Sequence, residues 1–363
     1  MTKLYDLYTQ QGQSPWLDNL RRDWIVDGTI QRRIDQGVRG MTSNPSIFQK
    51  AMTAGQAYDE QFAQLVRSGS EPAEAFLLMA LQDIKDVARL LRPVYDGSGG
   101  TDGFVSLELA PEMAHDTQAS IDAARTFHDE LQLPNLMVKI PATEAGIPAI
   151  RQMVAEGRNI NITLLFTLPR YQEVMDAYLA GLEAFDGDRS QVNGVASFFV
   201  SRVDTEVDRR LDEIGTPEAL ALRGKAAVAQ AKMAYQQFRR TFSGERWEAL
   251  AATGAQLQRP LWASTSTKNP AYSPTLYVDE LIGPDTVNTM PEATIDEFEA
   301  HGTVARTIDR DADEAERTWQ RLAEVGVDLA DVGATLEDEG VAAFSKAFQE
   351  LVASLEQKAA ALR

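Results

Sequence analysis

Apolar and polar positions along this chain switch between two periods. Short runs rich in β-branched and aromatic residues occur at PWLDN (15–19), VRGMTSN (38–44), FVSLELA (104–110) and LMVKIPA (136–142). They continue at INITLLF (160–166), VNGVASFFV (192–200), PLWAST (260–265) and DTVNTM (285–290). Between them lie stretches such as EPAEAFLLMALQDIKDVARLL, QASIDAARTFHDEL and LPRYQEVMDAYLAGLEAF, whose apolar residues recur every three or four positions. A period near two marks strands and a period near 3.6 marks amphipathic helices. Strand then helix, repeated about eight times, predicts a parallel sheet closed into a (β/α)8 barrel with additional helices. A doubly wound open sheet is the alternative architecture.

The chain from Asp331 onward, ending VAAFSKAFQELVASLEQKAAAL, reads as one long helix. The linker-like stretches YDGSGGTDG (95–103) and STKNPAYSPTL (266–276) are too short to separate domains, and there is no internal repeat. Residues 1–363 are therefore expected to form a single barrel domain, with 331–363 as a helical extension packed on it. GSGGTDG loosely resembles a dinucleotide fingerprint, but that fingerprint must follow a strand and open a helix. These glycines follow a helix and precede a strand, so they read as a loop.

Strands covered on both faces usually read as unbroken Val/Ile/Leu. Several of these do not, and successive side chains alternate faces. Val105, Leu107 and Leu109 oppose Ser106 and Glu108. Ile160, Ile162 and Leu164 oppose Asn161 and Thr163, and Val138 and Ile140 oppose Met137 and Lys139. Leu17 and Asn19 oppose Trp16 and Asp18. If one parity packs on helices, the other lines the barrel with Asp18, Glu108, Lys139, Asn161, Thr163 and Ser197. Blander readings compete at each position. Asp18 could cap the next helix, Asn44 in TSNPSIF could be a turn residue before proline, and Glu108 could form a structural ion pair with Lys139. The shared parity across four strands favours one convergent site at the C-terminal ends of the strands, where barrels place their chemistry.

Lys139 is the odd member. The chain has nine lysines, and the other eight sit in polar, helical or turn-like surroundings. Burial penalises an ammonium, so a lysine inside a barrel can present a neutral amine near pH 7. Such an amine attacks a ketone or aldehyde to form a Schiff base. The chemistry also needs a general acid and base, for which Asp18 and Glu108 are placed, with Thr163 orienting a water.

Composition narrows the alternatives. With no cysteine there is no thiolate nucleophile, disulfide or cysteine-ligated metal. The three histidines, His115, His128 and His301, lack metal-ligand spacing, and there is no GxSxG elbow. A net charge of −19 argues against a nucleic-acid partner. An anionic substrate would then need local cations, and Arg202 and Lys268, after the sixth and seventh strands, suit a phosphate. No apolar stretch approaches the length of a membrane span, and the start MTKLYDLYTQ has no secretory h-region. The expected location is the cytoplasm, with no membrane partner. No helix face is distinctive enough to define an interface, so a homo-oligomer is left open.

In order along the chain, TSNPSIF, VSLELAP, MVKIPAT, NINITLLFT, VASFFVSRVD and WASTSTKNP resemble the motifs of the transaldolase family, of the larger bacterial type. The likeness runs from SPWLDN to the terminal helix. It implies a (β/α)8 barrel whose Schiff-base lysine is on the fourth strand, where the strand count independently puts Lys139. It implies transfer of a dihydroxyacetone unit between sugar phosphates: sedoheptulose 7-phosphate and glyceraldehyde 3-phosphate to erythrose 4-phosphate and fructose 6-phosphate. That reaction belongs to the non-oxidative pentose phosphate pathway and uses no metal or organic cofactor. By the same resemblance Lys139 is the nucleophile, Asp18 the proton-transferring acid, Glu108 the acid working with a water, and Thr163 the hydroxyl holding that water. Asn44 and Asn161 match asparagines that bind substrate hydroxyls, Ser197 matches a substrate contact, and Arg202 matches a phosphate ligand.

One departure stands out. Many members carry an arginine soon after the seventh-strand Ala-Ser, whereas this chain reads ASTSTKNP. Lys268 must serve there, with Ser264 beside it, and a lysine lacks the bidentate fork. Two other activities compete with transfer. One is simple aldol cleavage on the same lysine; small aldolases of this kind carry glutamine where this chain has Glu108. The other is a barrel that binds phosphosugars without turnover, which should tolerate Lys139→Met because a buried charge is removed.

Overall fold

The computed structural model describes residues 2–53 and 55–362. Its eight strands are β1 (Gln13–Leu17), β2 (Met41–Thr42), β3 (Val105–Glu108), β4 (Leu136–Pro141), β5 (Ile160–Leu165), β6 (Gly194–Phe199), β7 (Gln258–Ala263) and β8 (Thr286–Met290). All pair in parallel and in sequence order, and β1 closes on β8. The closed barrel replaces the open-sheet alternative. The helical stretches fall at Pro72–Gly97, Thr117–Leu131 and Leu168–Ala184. GSGGTDG lies in the connection from the first of these helices to β3. There Gly103 holds φ +80°, and a Cβ would fall 2.3 Å from the Tyr95 nitrogen.

Two strands differ from the sequence expectation. β2 keeps only two residues of VRGMTSN. Gly40 packs its backbone on the Trp16 indole, where a Cβ would meet the ring at 2.4 Å. Ser43 Oγ turns to the Ser106 carbonyl (2.7 Å), and Asn44 Oδ1 caps the next helix through Ile47 N (2.9 Å). The N-terminal flank still makes backbone bonds, from Arg39 N to the Pro15 carbonyl (2.8 Å) and from Leu17 N to the Gly40 carbonyl (2.9 Å), so it is Ser43 and Asn44 that end the ladder. In β5 the register shifts between Ile162 and Leu165, and Leu164 takes φ 55°. The bulge breaks the alternation that grouped Leu164 with Ile160 and Ile162, and its side chain meets Gly340 instead.

The strands' N-terminal ends are sealed. Asp102, 1% exposed, accepts from Ser14 Oγ, from Trp16 Nε1 (2.9 Å) and from Arg39 Nε (2.8 Å). Arg259 donates to Ser14 Oγ (2.8 Å) and to the Thr101 carbonyl (3.0 Å). A buried carboxylate needs such pairing and hydrogen bonding. The C-terminal ends of the strands are left as the open mouth.

The helix Leu329–Leu362 crosses that mouth. Its buried residues Val332, Leu336, Gly340, Phe344, Ala347, Leu351, Leu355 and Ala359 follow the three- and four-residue spacing of one helix face. Two glycines let it sit close: a Cβ on Gly333 would fall 2.1 Å from Thr167 Cγ2, and one on Gly340 2.9 Å from Leu164 Cδ2. Further along, Glu350 accepts from Gln49 (2.8 Å), and Lys358 donates to Asp59 (3.0 Å) and the Met52 carbonyl (3.4 Å). Among the described residues no helix is long and apolar enough to cross a membrane.

Candidate active site

β3 and β4 run in register with Glu108 opposite Lys139, and β4 and β5 set Lys139 opposite Asn161. Neighbouring strands lie about 4.8 Å apart, so side chains of one parity on paired residues meet. Lys139 Nζ donates to Glu108 Oε2 (2.7 Å) and to the Ser43 carbonyl (3.1 Å). Both side chains are almost completely buried, 5% and 4% exposed. Glu108 Oε1 and Thr163 Oγ1 are buried with no hydrogen-bond partner among the described residues. Burial pushes the Glu108 carboxyl above its ordinary range, against the opposing pull of Lys139. Much of the wall behind Glu108 is apolar: a cavity of about 170 Å³ there is lined by Phe48, Phe76, Phe127 and Phe348 among others.

Asp18 follows β1, with its backbone N–H on the Met290 carbonyl (2.8 Å). Its carboxylate does not cap the following helix. It accepts from Thr42 Oγ1 (2.7 Å), which also shares a hydrogen bond with Thr289 Oγ1 (2.8 Å). Burial raises the Asp18 carboxyl, while Thr42, Lys139 and Lys268 pull it down. Two buried carboxyls therefore flank one lysine, and both hold their protons more tightly than free carboxylates do.

These groups meet a cavity of about 450 Å³ at the mouth. Asp18, Asn44, Lys139, Thr163, Ser197, Arg202, Ser264 and Lys268 all line it. Eight of the ten residues singled out in the sequence share this wall. Glu108 reaches it through Lys139. Asn161 is fully buried instead, donating to Ser106 Oγ (3.0 Å) and accepting from Ser197 Oγ (2.7 Å). It sits under the cavity floor and fixes Ser197. Asn44, which could have been only a turn residue before proline, accepts from Ile47 N at the start of a helix and also lines the cavity.

The cations gather on the mouth. Arg202 lies over the Phe199 ring, 5.1 Å from guanidinium carbon to centroid, and burial lowers its guanidinium below the ordinary value. Lys268 Nζ donates to Ser266 Oγ (2.6 Å). Burial, followed by the nearby Arg202 charge, pushes its ammonium down. Ser264, held at φ 55°, shares a hydrogen bond with Ser201 Oγ (2.9 Å). This positive rim is local, since the whole chain carries −19.

Several lining residues escaped the sequence reading. Thr42 and Thr289 sit on predicted strands, and their hydroxyls became meaningful only once β1, β2 and β8 were adjacent. Lys50 and Phe344 come from helices and have no strand parity to mark them.

A model of the Transaldolase/Fructose-6-phosphate aldolase family matches residues 15–355. A transaldolase of Parafrankia sp. is 48% identical over 363 residues, covering 99% of this chain and 98% of the relative. Transaldolase 1 of Streptomyces coelicolor is 49% identical over 350 residues, covering 95% and 92%. A transaldolase of Mycolicibacterium smegmatis is 48% identical over 346 residues, covering 94% and 93%. With a barrel of eight parallel strands, a lysine buried on the fourth and matches over nearly its whole length, the chain belongs to the transaldolase/fructose-6-phosphate aldolase family.

Proposed function

We propose that this protein is a transaldolase that moves a dihydroxyacetone unit between sugar phosphates through a Schiff base on Lys139. The observation that carries the reading is Lys139 Nζ, buried 2.7 Å from a carboxyl whose own proton affinity is raised. Glu108, whose carboxyl burial raises, is placed to take the ammonium proton. The free amine then attacks the ketose C2 carbonyl, and the carbinolamine loses water to give an iminium. Glu108 Oε1 and Thr163 Oγ1, both without a partner among the described residues, supply the acceptor and donor that a water between them would need.

The iminium draws electrons from C3–C4. Asp18 takes the C4 hydroxyl proton, the C3–C4 bond breaks, and an aldose phosphate leaves. The three-carbon enamine stays on Lys139 and attacks the carbonyl of the acceptor aldose phosphate, whose new hydroxyl is protonated by Asp18. Hydrolysis of the new iminium frees the product ketose phosphate and Lys139. Arg202 and Lys268 hold the phosphate at the mouth, with Ser264 beside them, while Asn44 and Ser197 meet substrate hydroxyls. Asn161 acts through Ser197. The donor and acceptor pairs are those of the non-oxidative pentose phosphate pathway. Phosphorylated sugars are intracellular, which supports a cytoplasmic location.

Borohydride reduction in the presence of fructose 6-phosphate tests the reading. A three-carbon adduct on Lys139, with erythrose 4-phosphate converted to sedoheptulose 7-phosphate, supports transfer. Release of free dihydroxyacetone at the same rate with or without acceptor would make it an aldolase. No adduct on Lys139 would sink the Schiff base.

A further inference from the structure

Lys50 is a third unpaired cation at the mouth, and the roles assigned above leave it unused. It lies in helix Pro45–Thr53 and lines the same cavity as Arg202 and Lys268. Among the described residues none of the three forms an ion pair, and the only hydrogen bond from their charged groups is from Lys268 to Ser266. The other two basic residues on this wall are taken: Lys139 is paired with Glu108, and the Arg21 guanidinium makes two hydrogen bonds to the Asp23 carboxylate and lies over Trp24.

The helix that presents Lys50 is fixed at several points. Asn44 caps its start, Gln49 holds Glu350 of the terminal helix, and the Met52 carbonyl accepts from Lys358. The barrel order puts Lys50 across the mouth from Arg202. Lys50 follows β2 and Arg202 follows β6, four strands apart in a ring of eight. Like charges held in one partly dry cavity repel, and a doubly charged anion between them relieves that repulsion. The Lys268 ammonium is already pushed down by burial, by Arg202 and by Lys50. Lys268 also offers a point charge where a guanidinium fork would make two bonds. A further donor is wanted on the phosphate, and Lys50 is the unpaired one in reach of the cavity.

We propose that Lys50 is a specificity-determining residue that grips the substrate phosphate from the side opposite Arg202 and Lys268. The phosphate is then held on three sides, with one contact supplied by the β2–β3 connection. The inference rests on the sugar-phosphate reading of the site, and it makes Lys50 a determinant of phosphorylated over unphosphorylated substrate.

The test compares the full-length protein with Lys50→Met, Lys50→Arg and a control, Lys346→Met, on an exposed lysine of the terminal helix outside the cavity. For Lys50→Met the KM for fructose 6-phosphate rises about 5- to 20-fold, as loss of one charge-assisted contact implies. Inhibition by inorganic phosphate weakens by the same factor, and kcat falls by less than about threefold. Borohydride trapping of dihydroxyacetone, which has no phosphate, is not slowed. Lys50→Arg restores most of the KM, and Lys346→Met leaves it alone. If Lys50→Met changes neither KM nor phosphate inhibition, Lys50 is a solvated surface lysine and the inference is wrong. If the wild type does not turn over fructose 6-phosphate, the activity reading fails separately. Calorimetric titration of inorganic phosphate into wild type and Lys50→Met then still decides whether Lys50 binds the anion.

Discussion

Lys139 and Glu108 face each other in register on adjacent strands, with Nζ 2.7 Å from Oε2. The pairing changes what substitution at Lys139 should do. For a lone buried ammonium, Lys139→Met would remove a charge and cost little. Here it strands a carboxyl against the apolar wall behind Glu108. Breaking a buried pair from one side typically costs about 3–5 kcal/mol.

That cost depends on pH, and the sign is fixed. Burial already raises Glu108 in the folded protein, and loss of Lys139 raises it further. A group with a raised folded pKa contributes stability that is full below its unfolded value, about 4.3. The contribution is lost as pH rises through the folded value. Lys139→Met should therefore be inactive, near wild type in stability at acid pH, and progressively weaker toward neutral pH in urea melts. Lys139→Met with Glu108→Gln should lose that slope. A slope that persists in the double variant would assign it to another group.

Asp18 is expected to act after Schiff-base formation. Asp18→Asn should lower kcat by roughly 10²- to 10⁴-fold, the range for removing a general acid-base group. Borohydride should then trap the intact ketose phosphate on Lys139, not the three-carbon fragment. A three-carbon adduct formed at the wild-type rate would move C–C cleavage to another residue.

Thr42 should set the pH at which Asp18 works. Its hydroxyl donates to Asp18 Oδ1 at 2.7 Å and favours the ionised form. Thr42→Val removes that bond, so Asp18 rises further. The acid limb of the kcat/KM profile should shift to higher pH, with little change on the alkaline limb. An unmoved acid limb would show that it reports a different group.

The seat of the terminal helix is expected to govern the mouth. Gly333→Ala places a methyl 2.1 Å from Thr167 Cγ2, on a stiff β-branched side chain that caps a helix. Overpacking of this kind costs about 1–3 kcal/mol. Gly340→Leu acts nearer the substrate, because its Cβ would meet Leu164 Cδ2 at 2.9 Å and Arg202 Nη1 at 3.6 Å. It should raise KM for phosphorylated substrates more than it lowers kcat. Unchanged kinetics would mean that the helix can shift without disturbing Arg202.

At the opposite end, Asp102→Ala should separate stability from chemistry. It leaves Arg39, Trp16 and Ser14 without their shared acceptor. A loss of about 3–5 kcal/mol is expected in denaturant melts, with kcat of the folded fraction unchanged. A large fall in kcat would couple the sealed end to the site.

Strand and helix order were legible in the sequence, because periods of two and 3.6 are local properties of the chain. Side-chain parity on a strand is local too, so Asp18, Glu108, Lys139 and Thr163 could be grouped before any contact was known. Parity gave out where the backbone departs from regular geometry. The bulge in β5 redirected Leu164 to the terminal helix, and the short β2 turned Ser43 and Asn44 away from ladder pairing. It could not tell a residue on the cavity wall from one just beneath it, so Asn161 emerged as a buried support for Ser197. What arrives from elsewhere in the chain could be read only in three dimensions. Phe344 reaches the mouth because two glycines let a helix lie close, and Lys50 reaches it because its helix is anchored to that same segment. Helix spacing marks which face is buried but not what lies beneath it, and contacts between residues hundreds of positions apart leave no local period to read.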